Sequence, residues 1–596
     1  MRKYKFMTKK YVTLTYIFIF IIFFVARLLF LDEDLPPWGI INYQPVDEGA
    51  YSMLALNLYN YGEISPEVLG GDVEYITSPH IRTNILGNFF VYVGLKLLGD
   101  NYWGLRIGSV VCGFFILAIL LAIIDHLSKA RGISPRFRHA LNIGCLLYFT
   151  LDFNFTMACR VMETSIYRLL LIMLIILAFV KIREKIFIKF LVLTLLTTFS
   201  VFGVYITNVF VYLAIFITLI GYGIKYGKKT FFKGFSGMIC GGILMLIPLE
   251  IYYIKVWDTL AIKNMFSAIT SFSTQAGYTL NSSFWTIIKT SVHFLASNVN
   301  LYNITLLAAM LLSIPYLLYL IIKHNDLTVL FLVSLVVSLY LQTLVSEDYI
   351  VRKYIIVYPV LLILLCIVAT HRWHIKSLLI RMFNGSHGMR NRFLLVIYMI
   401  LSIIICLGVF IFRFYRIADG TKNDFKDIDI LMIVLMGCLS LALFIGSIYK
   451  YIKGKRIIFT FIGCILCALS IHVYLSINYI YFNRSYTEKQ CMIDIGQIVG
   501  NDYVIGSFFP MGYTLYNDIK PIITSTDIMV QAYDEYPDLW CLDYTDQGDS
   551  GLRGYLDSLF IDSEYQLINY KNFERNFSTF GICRDVALYK AQSKNE

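Results

Sequence analysis

Apolar residues in this chain come in unbroken blocks of about 20, the length of helix that crosses the hydrocarbon core of a bilayer. The blocks fall near residues 11–31, 103–126, 139–155, 164–180, 188–205, 208–224, 234–256, 301–322, 327–345, 355–370, 393–413, 430–449 and 457–480. They predict a polytopic α-helical membrane protein with about thirteen transmembrane helices. One further apolar stretch, 84–98, is short and is expected to lie at the membrane interface. The runs are too long and unbroken for the alternating strands of an outer-membrane barrel. No internal repeat or low-complexity tract interrupts them.

The polar connections orient the helices. The N-terminus carries Arg2, Lys3, Lys5, Lys9 and Lys10 ahead of the first block. That block is too long for a signal peptide and no small-residue cleavage site follows it, so it is expected to be a retained span with the N-terminus inside. Counting 84–98 as interfacial then puts Lys129/Arg131/Arg136/Arg138, Lys181/Arg183/Lys185/Lys189, Lys225/Lys228/Lys229/Lys233, Arg372/Lys376/Arg381/Arg390/Arg392 and Lys450/Lys453/Lys455/Arg456 all on the cytoplasmic side. Counting it as a span would put every one of them outside, against the positive-inside rule. The C-terminus is therefore expected outside, in a multi-pass protein of the cell (plasma) membrane.

Composition narrows the class further. Of 596 residues, 58% are hydrophobic and only 15% charged, and the mean hydropathy is +0.66. A soluble domain carries about 25% charged residues. A cytosolic enzyme, a disordered regulator, a coiled coil and a small disulfide scaffold are excluded. The net charge of +11 lies in short clusters between apolar blocks, so it signals topology and membrane lipids rather than a nucleic-acid partner. Residues 481–596 depart from the rest, being rich in Asp, Tyr, Asn and Gly, with strand-like runs at 503–509 and 519–525. Two domains are expected: 1–480, membrane-embedded, and 481–596, a small extracytoplasmic α/β domain. Cys491, Cys541 and Cys583 fall in the second and provide for one disulfide, with the pairing open. Cys464 and Cys467 have metal or redox spacing but no flanking ligands, and are read as apolar residues of a span.

Three outside loops carry the candidate chemistry. In the first, Asp47-Glu48 follows Pro45 and opens a helix-like stretch with Tyr51, Leu54 and Leu58. Carboxylates in a first turn are favoured by the helix dipole, so a plain helix start is one account; a catalytic carboxylate at the membrane surface is the other. In the second loop, Arg160 and Glu163 stand at the mouth of a short connection, either as a local pair or as functional groups at a depth where ionisable residues are costly. In the third, Arg352-Lys353 lies outside, against the charge trend. An anionic ligand at headgroup level would account for it, since the Arg fork suits a phosphate; headgroup anchoring is the simpler alternative.

These residues resemble the membrane-embedded GT-C glycosyltransferases, in the branch of the protein O-mannosyltransferases and aminoarabinose transferases. Asp47, Glu48, Tyr51 and Ala55 fill that branch's Asp-Glu-x-x-Tyr-x-x-x-Ala pattern in order, and Gly99 and Arg106 match the approach to the next span. Ser78 replaces the first proline of its Pro-Pro-Leu-like element, which weakens the match at Pro79 and His80. Arg160 and Glu163 resemble an Arg-x-x-x-acid element with one residue fewer, and Arg352, Tyr354 and Pro359 an Arg-Tyr…Pro element with Lys353 inserted. The likeness covers the first 170 residues well, the third loop fairly and 481–596 hardly at all.

The resemblance implies a GT-C fold and transfer of a sugar from a polyprenyl-phosphate donor to a glycan, lipid or protein acceptor on the extracytoplasmic face, with inversion. Such a transfer needs a base for the acceptor hydroxyl and cations for the departing phosphate. Asp47 is the expected base, with Glu48 shaping the site and Glu163 orienting acceptor or base. Arg352 and Lys353 would bind the donor phosphate; Tyr51, His80, Arg106, Arg160 and Tyr354 would support. No metal-ligand cluster has good spacing, so no cofactor is expected, although the acids offer the oxygens that Mg²⁺ or Mn²⁺ prefers. Two alternatives are a flippase for a lipid-linked sugar, which would need midplane polar groups and paired broken helices, and a non-catalytic polysaccharide-assembly protein.

Overall fold

The structure is a computed structural model and describes residues 9–34, 44–64, 81–267, 303–346, 355–371, 397–398, 401–402, 404–408, 427–452, 458–482, 484–506, 513–522, 540–544, 565–573 and 586–593. The chain is a multi-pass helical membrane protein carrying a small C-terminal sheet. Among the described residues, nine helical stretches are long and apolar enough to cross a bilayer: Tyr11–Leu28, Tyr102–Ala130, Thr164–Lys181, Ile186–Gly203, Ile206–Tyr226, Lys228–Trp257, Ile304–His324, Asp429–Lys450 and a last one that includes most of the helix Ile458–Ser476. Shorter apolar helices, Leu327–Gln342 and Val357–Thr370, stand at two further predicted blocks. The block 393–413 lies largely outside the described residues.

The first half of the chain builds the site's frame. In order it forms α1 (Lys9–Leu28), α2 (Gln44–Asn60), α3 (Ile85–Leu98), α4 (Tyr102–Ala130), α5 (Pro135–Leu151), α6 (Phe153–Arg160) and α7 (Thr164–Lys181). The block 139–155, read from sequence as one span, is divided. Asp152 ends α5, and its Oδ1 accepts the Phe155 N–H at 2.6 Å to cap α6. A short acid that competes for backbone N–H groups breaks a helix even inside an apolar run. α2 also begins before the acids: Pro45 lies within its first turn, where a missing N–H costs nothing.

The stretch 84–98 is a helix, as expected, but it folds back on its successor. α3 and α4 form a tight antiparallel hairpin in which Gly94 meets Gly104 and Phe90 meets Gly108. A Cβ on Gly94 would overlap the Gly104 carbonyl oxygen, so the approach requires glycine. Further along, α8 (Ile186–Gly203), α9 (Val211–Tyr226) and α10 (Lys228–Trp257) follow. Gly237 and Gly241 of α10 press on the backbone of Phe187 and Leu191 in α8, the small-residue packing of lipid-embedded helices.

The core runs through α4, α6 and α7. Every residue of α6 is buried, as is nearly all of α7. By contrast α1 and α10 expose Phe18, Ile21, Ile243, Leu244 and Ile247, the apolar face that lipid covers. The C-terminal unit adds the helix Thr487–Val499 and strands β1 (Tyr503–Gly506), β2 (Lys520–Ile522), β3 (Trp540–Tyr544), β4 (Tyr565–Phe573) and β5 (Val586–Ser593). The sheet order is β2-β1-β3-β5-β4; β1 runs parallel to β2 and β3, and β5 antiparallel to β3 and β4. Cys491 and Cys541 are buried in this unit, and Cys583 lies outside the described residues.

Candidate active site

Four arginines, Arg27, Arg106, Arg160 and Arg168, are wholly buried. A buried guanidinium must find carboxylates or carbonyls for its N–H groups. Arg106, one turn into α4, grips Glu48 of α2 with both arms: Nε to Oε1 at 2.9 Å and Nη2 to Oε2 at 2.7 Å. Its Nη1 donates to the carbonyls of Leu31 at 2.9 Å and Glu33 at 2.7 Å, and its face lies 3.8 Å from the Tyr102 ring.

Arg160, at the end of α6, clamps the same loop from the other side. It donates to the carbonyls of Arg27 (3.1 Å), Leu29 (2.7 Å) and Phe30 (2.6 Å), and to Glu33 Oε1 at 2.7 Å. Phe30 sits at φ 56°, a left-handed conformation rare for a bulky residue; the two guanidiniums hold the strained carbonyls in place. Burial pushes the Glu33 carboxyl up to about 7, against the pull of Arg160 and Arg106.

Glu48 then joins two of the candidate loops. Its Oε1 also accepts the backbone N–H of Met162 at 2.9 Å. Asp47 precedes Glu48 and Glu163 follows Met162, so this one hydrogen bond brings the backbones of both candidate acids to a common point. The Asp47 backbone lies in the first turn of α2; its side chain lies outside the described residues. Glu163 is buried and occupies the N-cap position of α7. Glu163 lies within electrostatic reach of Arg168, five residues further along the chain in α7. Arg168 donates to Asn208 Oδ1 at 3.1 Å and Thr207 Oγ1 at 3.3 Å, and stacks 4.6 Å from the Tyr205 ring. Its Nη1 has no hydrogen-bond partner among the described residues. The Tyr51 carbonyl accepts from Asn84 and Asn88 of the α3 region, tying α2 to the hairpin.

The structure therefore brings together Glu48, Tyr51, Arg106, Arg160 and Glu163 with the backbone of Asp47. His80, Arg352, Lys353 and Tyr354 lie outside the described residues. Sequence reasoning passed over Glu33, which holds Arg160, and Arg168. The signals were present: an acidic run, Asp32-Glu33-Asp34, directly after the first block, and an arginine one turn beyond Glu163 inside an apolar run. Among the described residues no group of three His, Cys, Asp or Glu side chains gathers as a metal centre.

The C-terminal unit docks on this same end. Asp34 caps the helix Thr487–Val499 from outside it, Oδ2 accepting the Glu488 N–H at 3.0 Å and the Ser485 hydroxyl at 2.9 Å. Lys489 Nζ donates to Asp32 Oδ2 at 2.8 Å, and Arg484 stacks 3.7 Å from the Phe30 ring. At the α3–α4 turn, Tyr516 Oη accepts the Tyr102 N–H at 3.0 Å. Burial, and then the nearby Asp518, push the Asp100 carboxyl in that turn up to about 7. The folded chain thus binds a proton there that an unfolded Asp, titrating at about 3.9, has released. The stabilisation is complete below about pH 4 and is lost as pH rises through about 7. Docking should loosen progressively between about pH 4 and 7, read as faster protease nicking near residues 484–489; in Asp100→Asn the rate should change less with pH over that range.

No protein-family model matches the chain, and no curated protein does. Solved structures do. ArnT from Cupriavidus metallidurans bound to undecaprenyl phosphate superposes with a TM-score of 0.51 over 98% of this chain and 98% of that one, at 9% identity. The chain has the ArnT fold. ArnT in the apo state gives a TM-score of 0.50 over 97% and 98% of the two chains, at 10% identity. An oligosaccharyltransferase from Archaeoglobus fulgidus aligns over 90% of this chain and 70% of its own, with a TM-score of 0.46 and 9% identity. ArnT is an aminoarabinose transferase of GT-C type, so the fold implied by the motif resemblance is the fold observed.

Proposed function

We propose that the chain is a glycosyltransferase that moves a sugar from a polyprenyl-phosphate carrier to an acceptor hydroxyl on the extracytoplasmic face of the membrane. The observation that carries this reading is the Glu48–Met162 hydrogen bond, which joins Asp47 and Glu163 at the end of a bundle folded like ArnT, a protein solved with undecaprenyl phosphate. Asp47 takes the proton of the acceptor hydroxyl as its oxygen attacks the anomeric carbon. The bond from that carbon to the phosphate oxygen breaks on the opposite face, inverting the centre, and polyprenyl phosphate departs with the electron pair. Glu163 orients the acceptor or the base. Glu48 and Arg106 hold the frame, and Arg168 adds a buried cation with one N–H arm unpartnered among the described residues.

The scheme routes no step through a metal; the cations supply the charge for the phosphate. The test is transfer of radiolabelled sugar from a polyprenyl-phosphate sugar in membranes with and without the protein, run in EDTA and with added Mn²⁺. Label reaching no glycan, lipid or protein in either condition would overturn the reading.

Arg352 and Lys353 are the proposed phosphate holders. Arg352→Ala is expected to raise the apparent KM for the lipid donor by about 10-fold or more, the worth of a charged hydrogen bond, with acceptor KM little changed. Arg352→Lys should recover only part, because an ammonium lacks the fork. Donor kinetics unchanged in the Ala variant, at equal membrane level, would remove Arg352 from the site.

A further inference from the structure

At the other end of the bundle from Glu48, helix ends line an open cavity of about 490 Å³. α4 connects the two regions, its residues Arg106 and Ala130 lying roughly 36 Å apart at 1.5 Å rise per residue. Arg131, Arg183, Lys189 and Lys225 line it, with a single carboxylate, Asp326, among the described lining residues. That carboxylate is taken: Arg131 Nη2 holds Asp326 Oδ2 at 3.0 Å. Asp125, nearby on α4, is likewise engaged by Lys129 at 2.7 Å and Arg138 at 2.8 Å.

The other three cations meet only neutral groups among the described residues. Lys225 Nζ donates to the Asn325 carbonyl at 2.8 Å, and Arg183 Nη2 lies 2.8 Å from His126 Nε2. Lys189 is the most telling. It is 3% exposed, its Nζ donates to Tyr222 Oη at 2.8 Å, and the ammonium lies 4.5 Å from the Phe179 ring. A buried ammonium with only a phenol and an aromatic face for company is costly, and a nearby anion offsets that cost. Basic residues that merely mark topology are spread over the membrane surface; these converge on one cleft, the arrangement by which basic pockets between transmembrane helices hold phosphorylated headgroups.

We propose that this cavity binds a phosphate group, carried by an anionic lipid or present as a soluble phosphate. The positive clusters assign this end to the cytoplasmic side, so the site lies across the membrane from the proposed transfer chemistry and stands whether or not that chemistry is correct. Arg183 and Lys225 are exposed at its mouth and Lys189 forms its floor.

The test uses the full chain in nanodiscs. In discs of phosphatidylcholine alone, inorganic pyrophosphate is titrated by calorimetry. In discs also containing phosphatidylglycerol, lipid retained after detergent extraction is counted by native mass spectrometry. A soluble source is indicated if pyrophosphate saturates one site on the wild type and binds at least about 10-fold more weakly to Arg183→Gln and to Lys189→Met. A lipid source is indicated if pyrophosphate fails to bind while wild type retains phosphatidylglycerol that both variants lose. Arg183 is exposed, so Arg183→Gln keeps the test informative even if Lys189→Met folds poorly. Neither probe binding, or both binding wild type and Arg183→Gln equally, overturns the proposal.

Discussion

Asp47→Asn is expected to lower sugar transfer by about 10²–10⁴-fold while leaving insertion and melting temperature near wild type. The backbone of Asp47 lies in the first turn of α2, and the next residue is locked: Glu48 is held by two arms of Arg106 and by the Met162 N–H. The hydrogen bonds that pin this backbone are made by Glu48, and the swap leaves them in place. Asn keeps the size of Asp and forfeits its charge, whose interaction with the helix dipole is worth about 0.3–1 kcal/mol. It cannot accept a proton at neutral pH. If Asp47 only favours the helix start, the swap costs that fraction of stability and turnover is unaffected. If it is the base, turnover collapses in a protein that melts normally. The measurement is initial rate of label transfer at matched membrane level, beside a thermal melt in detergent. Wild-type turnover in Asp47→Asn would dismiss the mechanism and favour a flippase.

Much of the helical architecture was legible because bilayer thickness imposes a length that apolar runs must meet, and the described helices stand on the predicted blocks. What hydropathy could not show was where backbone groups are rerouted. Asp152 splits one block because its carboxylate outcompetes the helix for an N–H, and Pro45 enters the first turn of α2 instead of preceding it. The site was legible as residue types on one face, and the Asp47-Glu48 pair and Arg106 stood out by their motif. Their partners did not. Arg160 and Glu163 are three residues apart and read as a local pair, yet Arg160 reaches back to Glu33 across a separation of 127 positions. A pairing of that range is made by tertiary packing, here the strained turn at Phe30, and leaves no period in the sequence. The docking of the C-terminal helix on Asp34 is equally non-local.

Arg106→Leu is expected to destabilise the chain by about 3–5 kcal/mol, the largest stability effect of any single substitution at this site. Leucine fills much of the space but leaves the buried Glu48 carboxyl without the guanidinium that holds it. It also strips a donor from the carbonyls of Leu31 and Glu33, already held in a strained turn. Arg106→Lys keeps the charge without the fork and should fall between, since one ammonium cannot serve both Glu48 oxygens and two carbonyls at once. The double variant Glu48→Gln/Arg106→Leu separates pairing from packing. It removes the orphaned carboxyl while the new amide oxygen still accepts from the Met162 N–H, so it should melt above Arg106→Leu alone, a coupling of about 1–3 kcal/mol between the two positions. The readout is the detergent melting temperature of wild type, both single variants and the double, with the fraction reaching the membrane as a check. An Arg106→Leu variant that melts like wild type, or a double variant whose losses simply add, would mean that the Arg106–Glu48 pair does not hold the frame on which Asp47 and Glu163 are carried.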